Sequence, residues 1–227
     1  MNREFISYQE VLKLYNRQDI HIFESHNNMP KVISTGNGEV IKFFYKKTWF
    51  SSNYYAPYAI RFLNNSRKLQ TLGVLSPEVT RLKYCQQLKA HIIHYKKLPG
   101  DTLLSLIQNG NHELFSHAIK VISYLHKKGI FFRGIHLSNI IYQSNNNMVL
   151  VDVTDMAIKD KPLSLPMRYR NLQHLFFHKR DYNLWKSIGM DNCVQQYLDL
   201  SGLSECAKKI LSYLFKLKLN LLIRVPK

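Results

Sequence analysis

Cysteine, acidic residues, glycine and long apolar runs are all scarce in this chain of 227 residues. The three cysteines, Cys85, Cys193 and Cys206, are odd in number and widely spaced, which argues against a disulfide framework or a zinc site. No apolar run approaches the ~18 residues of a membrane-spanning helix, and the N-terminal stretch lacks the apolar segment of a signal peptide. We therefore expect a reduced, cytoplasmic protein.

The shortage of acidic residues leaves a strongly basic chain. It carries 32 Lys and Arg against 15 Asp and Glu, which gives a formal net charge of +17. Such a charge attracts polyanions, namely nucleic acid, anionic lipid or a phosphorylated glycolipid, although a solvated basic surface has the same composition. Because the aromatic residues are scattered without a stacking motif, we expect no specific nucleic-acid-binding module.

The first part of the chain has the pattern of strands with one helix. Two β-rich runs surround the turn 35–38, which indicates a hairpin. An amphipathic helix is predicted to begin near Pro57 and to end at Gly73, and two more strands follow it. The sequence Leu98-Pro99-Gly100 then breaks the pattern and is the predicted link to a second domain.

The second part of the chain has a mainly helical pattern. One helix is predicted to stop at Gly129, a small hairpin spans 140–151, and another helix opens at Pro166, followed by two further helical patterns. The prediction is a fold of the α+β class, with a small β-rich domain over residues 1–97 and a mainly helical domain over residues 98–227.

Three residues suit phosphoryl transfer, which depends on positioning and on charge stabilisation. Lys42 lies on the second strand of the predicted hairpin, where a lysine can pair with phosphates or simply face solvent. Asn139 and Asp152 flank the two strands of the small hairpin, which would bring them together. Their oxygens suit Mg²⁺, whereas the alternative interpretation of both is as turn residues.

The stretch Gly129–Asn139, GIFFRGIHLSN, has the rhythm of a kinase catalytic loop. Together with VIKFF, LPGDTL, LVDVTDM and RNLQHL, it resembles the bacterial lipopolysaccharide-core kinases, particularly the branch of toluene-tolerance proteins, over roughly residues 20 to 180. The resemblance implies a two-lobed protein-kinase-like fold that uses ATP and Mg²⁺. In it, Lys42 matches the phosphate-pairing lysine, Asn139 and Asp152 match the metal-binding pair, and the adenine-binding hinge matches Lys96, Lys97 and Leu98.

The chain also departs from the kinase pattern. Asn65 falls where kinases place the helix glutamate that pairs with the strand lysine. The first turn, near 25–28, lacks glycine, so its backbone would approach phosphates less easily. Gly134 stands in place of the catalytic aspartate.

Two residues are candidates to replace that aspartate. His136 and Asp155 could each orient the acceptor hydroxyl, and each could equally be an ordinary loop residue. The resemblance implies that Arg133 orders the loop.

Three functions remain open at this point. The first is phosphorylation of a lipopolysaccharide-core sugar at the cytoplasmic side of the inner membrane, which makes an anionic glycolipid or the membrane surface the expected partner. The second is a pseudokinase that acts as a regulator or scaffold in envelope biogenesis, which the missing aspartate favours. The third is a protein kinase or a small-molecule kinase such as an antibiotic phosphotransferase, which would need an acidic acceptor pocket.

Two segments could carry the basic surface. Several cations of the Pro166 helix and the residues after it either face one way and bind phosphate or form an ordinary solvated surface. They are Arg168, Arg170, His174, His178, Lys179 and Arg180. The amphipathic segment 207–224 either packs on the helical domain or lies on an anionic membrane surface.

Overall fold

The computed structural model describes residues 3–26, 29–46 and 57–224. It divides into two compact units, Met1–Pro99 and Gly100–Lys227, whereas the boundary predicted from the sequence lies after residue 97. The first unit is rich in strands and the second is mainly helical.

The first unit is built around one sheet. Its elements in chain order are β1 (Glu4–Phe5), α1 (Tyr8–Tyr15), β2 (Ile20–His26), β3 (Met29–Thr35), β4 (Glu39–Tyr45), α2 (Tyr58–Thr71), β5 (Val79–Cys85) and β6 (Ala90–Lys96). The six strands are ordered β1-β5-β6-β4-β3-β2, and every pair is antiparallel except β1 with β5. The predicted hairpin β3–β4 and the strands β5 and β6 are confirmed.

The two faces of this sheet carry different groups. On β4, Ile41 and Phe43 are buried in a core that includes Val11 of α1. Because side chains alternate along a strand, Lys42 between them lies on the opposite face, where its neighbours include Phe62 of α2. Lys42 therefore lies on the face of the sheet opposite the core around Val11, among the aromatic rings of Phe44 and Phe62.

Helix α2 confirms the helix predicted after Pro57. Its last helical residue is Thr71, and Gly73 follows with a φ of +73°, a backbone conformation that glycine adopts without strain. The turn predicted over residues 25–28 lies partly outside the described residues, since it includes Asn27 and Asn28.

The second unit contains eleven helices and strands with one short 3₁₀ turn between them. In chain order they are β7 (Asp101–Thr102), α3 (Leu103–Gln108), α4 (Leu114–Lys127), β8 (Ile130–Phe132), the 3₁₀ turn Leu137–Asn139, β9 (Ile140–Tyr142), β10 (Met148–Leu150), β11 (Met156–Ile158), α5 (Leu165–Phe176), α6 (Tyr182–Ser187), α7 (Met190–Leu200) and α8 (Glu205–Arg224). The strands form a sheet ordered β10-β9-β7 and a separate pair, β11 with β8.

A helical core holds these short strands in place. The inward residues of α4, including Ile119 and Ile122, are fully buried, and so are Trp185, Tyr197 and Phe215 from the helices that follow. At the end of α4, Gly129 has a φ of +74°, and any β-carbon there would overlap the carbonyl oxygens of Lys159 and Lys161. Glycine is therefore required where α4 turns into β8.

The structure corrects the expectation for Arg168 and shows how the terminal helix α8 packs. Arg168 is buried rather than surface-exposed, because its guanidinium donates to the carbonyl oxygens of Leu163 at 2.8 Å and Ser201 at 3.0 Å. Helix α8 buries Leu211 and Phe215 against the unit. Within residues 205–220, the part of this helix whose side chains are described, the large apolar side chains Ile210, Tyr213 and Leu217 are exposed.

Three helices, not two, follow α5 in the described part of the chain. Across residues 3–26, 29–46 and 57–224, no helix has the combination of length and apolar character that crossing a bilayer requires.

Candidate functional site

The loop that follows β8 contains three of the predicted site residues. Strand β8 pairs with β11, with Phe132 opposite Met156. Just past this pair, the backbone N–H of Arg133 donates to the carbonyl oxygen of Asp155 at 2.9 Å. The structure therefore brings Arg133 and Asp155 together through their backbones, while both side chains are exposed.

Asn139 connects this loop to the strand that leads to Asp152. Its side-chain Nδ2 donates to the carbonyl oxygen of Gly134 at 2.8 Å. Its backbone N–H donates to the carbonyl oxygen of His136 at 2.9 Å, and its own carbonyl accepts from Val151 N–H at 3.0 Å. One amide side chain thus fixes the loop conformation and places Asn139 beside the residue that precedes Asp152.

Asp152 has an unusual backbone. Its φ is +53°, in the left-handed region that residues other than glycine rarely occupy. Strain of this kind costs of order 1–3 kcal/mol and is concentrated at functional sites. The buried Thr154 donates through its hydroxyl to Asp152 Oδ1 at 3.4 Å. The predicted pair Asn139 and Asp152 therefore meets at one end of the β9–β10 hairpin.

The position of the missing aspartate is nearly closed to a side chain. A β-carbon on Gly134 would lie 3.2 Å from Phe132 Cε2 and 3.8 Å from Asn139 Nδ2. A larger residue would therefore need the Phe132 ring to move by a few tenths of an ångström. Gly134 contributes a carbonyl oxygen for Asn139 and no carboxylate.

His136 is one of the two candidates to replace this carboxylate, and it lies close enough to Asp152 for the charge of that carboxylate to affect its pKa. Burial, with smaller contributions from the neighbouring His178 and Arg180, lowers the pKa of His136 to about 4 against the opposing effect of Asp152. The imidazole is thus neutral at pH 7 and can accept a hydrogen bond. Since the best general base has a pKa near the working pH, it is a weak base here.

A buried network behind the loop was not foreseen from the sequence. Asn171 of α5, fully buried, accepts from the N–H of Phe132 at 3.1 Å and donates to its carbonyl oxygen at 2.6 Å. His126 contacts Asn171 Oδ1 through Nε2 at 3.2 Å and the hydroxyl of Tyr197 through Nδ1 at 2.7 Å. The only sequence signal was one amide within an otherwise apolar helix side. This network holds the strand that ends just before Gly134.

Asp181 anchors the other side of the loop and was also missed. It is fully buried, and its Oδ2 accepts from the N–H of Leu137 at 2.6 Å. Burial raises the pKa of this carboxyl, although the Leu137 N–H and His178 oppose the change. The carboxylate just before α6 thus holds the loop between Gly134 and Asn139, while the amide on α5 holds the strand that precedes this loop.

The remaining predicted residues lie in the first unit. The Lys42 ammonium lies 5.5 Å from the ring centre of Phe44 and 5.6 Å from that of Phe62. Asn65 follows Phe62 by three residues on α2, so both share one side of the helix. The structure therefore places Lys42 and Asn65 on the same face of the sheet, with aromatic rings beside the ammonium.

The three predicted hinge residues end the first unit. Lys96 is the last residue of β6, the N–H of Lys97 donates to the carbonyl oxygen of Gly38 at 2.7 Å, and Leu98 is half-buried. Both lysine side chains are exposed. Their role in binding adenine stays a prediction.

No protein-family model and no curated protein sequence matches this chain. The fold of this chain is similar to that of solved structures of WbdD. A co-crystal structure of WbdD with the kinase inhibitor LY294002 has 13% sequence identity and a TM-score of 0.50, covering 83% of this chain and 43% of that one. A structure of monomeric WbdD has 16% identity and a TM-score of 0.48, covering 82% and 44%. A structure of the bifunctional kinase-methyltransferase WbdD has 16% identity and a TM-score of 0.44, covering 80% and 41%.

The likeness to the inhibitor complex concerns the fold. This chain spans less than half the length of that protein. Together with the two units described above, the likeness shows a two-lobed, protein-kinase-like fold of the α+β class, with a β-rich first lobe and a mainly helical second lobe.

Proposed function

We propose that this chain is a kinase-like phosphotransferase that uses ATP and Mg²⁺ to phosphorylate a sugar of the lipopolysaccharide core at the inner membrane. The main support for this proposal is the position of Asn139 and Asp152 at one end of the β9–β10 hairpin. The Asn139 side chain is also hydrogen-bonded to the carbonyl oxygen of Gly134. The spacing from Gly134 to Asn139 is that of the kinase catalytic loop from its aspartate to its asparagine.

The donor set of this pair suits Mg²⁺. The Asn139 amide nitrogen is engaged with Gly134, so its carbonyl oxygen is the atom that would face a cation. Asp152 supplies an exposed carboxylate. Hard cations prefer such oxygens, and bound Mg²⁺ would neutralise charge on the phosphates. Lys42, in the first unit, is proposed to pair with the phosphates as well.

Catalysis would then depend on orientation rather than on a strong base. Positioning and electrostatic stabilisation dominate phosphoryl transfer, so a loop without the aspartate is expected to give a slow enzyme. His136, neutral and near Asp152, is proposed to accept a hydrogen bond from the acceptor hydroxyl. Asp155 is the other candidate, and Arg133 is proposed to order the loop.

The charge of the chain supports an anionic acceptor. The net charge is +17, and Arg170, Lys179 and Arg180 are exposed on or just after α5. Guanidinium groups suit phosphorylated sugars because they donate two hydrogen bonds in a fixed fork. A glycolipid at a membrane surface is therefore the proposed partner.

Thermal unfolding with ATP and Mg²⁺ tests the nucleotide site. At about a hundredfold its dissociation constant, a ligand stabilises the folded state by about 2.7 kcal/mol, which corresponds to a rise in Tm of roughly 5 to 10 °C for a chain of this size. We expect this rise to require both ligands and to be lost in Asp152→Asn. Asparagine tolerates the left-handed φ of +53°, so the variant removes charge without adding backbone strain.

The matched control is Asp160→Asn, which removes an exposed carboxylate in the loop after β11. It should keep the full rise in Tm. An equal rise in the native chain, Asp152→Asn and Asp160→Asn would show that Asp152 holds no metal, and the proposed site would be wrong.

A second candidate function is a pseudokinase that binds nucleotide as a regulator or scaffold in envelope biogenesis. It is favoured by Gly134, which offers no carboxylate, and by the low pKa of His136, about 4. This candidate predicts the same Mg²⁺-dependent rise in Tm but no transfer of phosphate to any acceptor. Binding and turnover together therefore separate the two functions.

A further inference from the structure

Three side chains that are able to bind a metal ion lie close together at the loop between Gly134 and Asn139. They are His136 within that loop, His178 between α5 and α6, and Asp181 immediately before α6, and their ligand atoms all lie within 4.8 Å of one another. The two imidazole rings stack with their centres 4.2 Å apart at 12°. His178 Nδ1 lies 3.7 Å from Asp181 Oδ1. The second unit contributes all three residues.

One polar atom from each of the three side chains is buried and has no hydrogen bond among the described residues. These atoms are His136 Nδ1, His178 Nδ1 and Asp181 Oδ1. The Asp181 side chain is fully buried, and its other oxygen is occupied by the N–H of Leu137. A buried polar atom that lacks a hydrogen-bond partner costs of order 1–3 kcal/mol. A ligand that binds all three atoms would remove that cost.

We propose that His136, His178 and Asp181 bind a first-row transition-metal ion of the Zn²⁺ type. Two imidazoles and a carboxylate suit such an ion, whereas Mg²⁺ and Ca²⁺ require oxygen ligands. The buried carboxylate also disfavours an anion at this point. Three protein ligands leave a fourth position for water or a substrate atom.

Coordination of one ion requires the three side chains to rotate. Bonds from Zn²⁺ to nitrogen and oxygen are about 2.0–2.2 Å long, so donor atoms within 4.8 Å of one another must move closer together and the stacked rings must turn. Asp181 is already oriented by Leu137, because an outer hydrogen bond on the second oxygen fixes the carboxylate.

This site shares neither Asn139 nor Asp152 with the proposed Mg²⁺ pair, but it shares His136 with the proposed catalytic loop. An imidazole that binds the ion has no lone pair left to accept from the acceptor hydroxyl, so in the metal-bound chain that role would fall to Asp155. The metal site does not depend on phosphotransfer. A bound ion would link the loop containing His136 to the start of α6, and thereby restrain the segment between Gly134 and Asn139. Metal binding can therefore be tested on a chain that turns over nothing.

Cobalt(II) binding to chelator-treated protein provides the test. We expect the visible absorption of a four-coordinate site at one ion per chain, displaced by Zn²⁺ and retained in millimolar Mg²⁺. His178→Ala should weaken binding at least about tenfold. His174→Ala is the matched control, because it removes another half-buried histidine, on α5, that is not part of the cluster.

Asp181→Asn is the second variant, chosen because its side-chain oxygen can still accept from Leu137. It should also weaken Co²⁺ binding at least about tenfold, with a thermal unfolding curve that shows a folded chain. The proposal is overturned if the native chain gives no such absorption, if Mg²⁺ displaces the ion, or if His174→Ala weakens binding as much as His178→Ala does.

Discussion

Replacing Asn171 with alanine should destabilise the second unit strongly and loosen the loop that carries Gly134. Asn171 is fully buried and makes three contacts: it accepts from Phe132 N–H, donates to Phe132 C=O, and its Oδ1 accepts from Nε2 of His126. Alanine cannot replace any of them.

The expected loss follows from these contacts. Each buried group left without a partner costs about 1–3 kcal/mol, and the gain in helix propensity from alanine returns at most about 0.7 kcal/mol. We therefore expect Asn171→Ala to lower the free energy of unfolding by about 3 to 5 kcal/mol. This is a large fraction of the 5–15 kcal/mol that is typical of a folded domain.

Urea unfolding followed by circular dichroism at the helix band measures this loss, because most helices belong to the second unit. Asn183→Ala on α6 is the matched control, since that asparagine is exposed, and it should change the free energy of unfolding by less than about 0.5 kcal/mol. A loss below about 1 kcal/mol for Asn171→Ala would refute the network as the support of the loop.

Two further predictions concern buried positions at the C-terminal end of α4, His126 and Gly129. Burial lowers the pKa of His126 from 6.5 to about 3, so its contribution to stability is complete above pH 6.5 and falls as the pH drops towards 3. Unfolding titrations should show that the native chain loses about 2 to 3 kcal/mol more than His126→Gln between pH 6.5 and about pH 4.5; equal losses would contradict this. Gly129→Ala should cost more than about 2 kcal/mol, because it combines positive φ with overlap against backbone carbonyls. Gly110 also has a positive φ, +99°, but open space around it, so Gly110→Ala should lower the free energy of unfolding by only about 1 kcal/mol. Similar losses for Gly129→Ala and Gly110→Ala would show that overlap with the backbone carbonyls does not matter.

The local features of the fold could be predicted from the sequence because they depend on neighbouring residues. The hairpin β3–β4, the helix after Pro57 and the stop at Gly129 each follow from turn residues next to a periodic apolar pattern. The short strands β7, β8 and β11 were not predicted, since two or three residues carry too little periodicity to be recognised.

The buried hydrogen-bonding residues around the candidate site could not be predicted, because their partners are distant in the chain. Arg168 seemed to belong to a basic surface, yet one of its acceptors is the carbonyl oxygen of Ser201. In the sequence, Asn171 has the pattern of an ordinary helix residue, and its hydrogen bond with Phe132, 39 residues away, is evident only in the structure. Asn139 is different, because Asn139 and Asp152 flank the predicted hairpin 140–151, and a hairpin brings its two ends together.

Transfer of phosphate from labelled ATP to lipopolysaccharide core, measured in the presence and absence of Mg²⁺, tests the central claim most directly. The account predicts slow, Mg²⁺-dependent labelling that is lost in Asp152→Asn and in Lys42→Ala but kept in Asp160→Asn. Nucleotide binding without any labelled acceptor would contradict the phosphotransferase and leave the pseudokinase as the function of this fold.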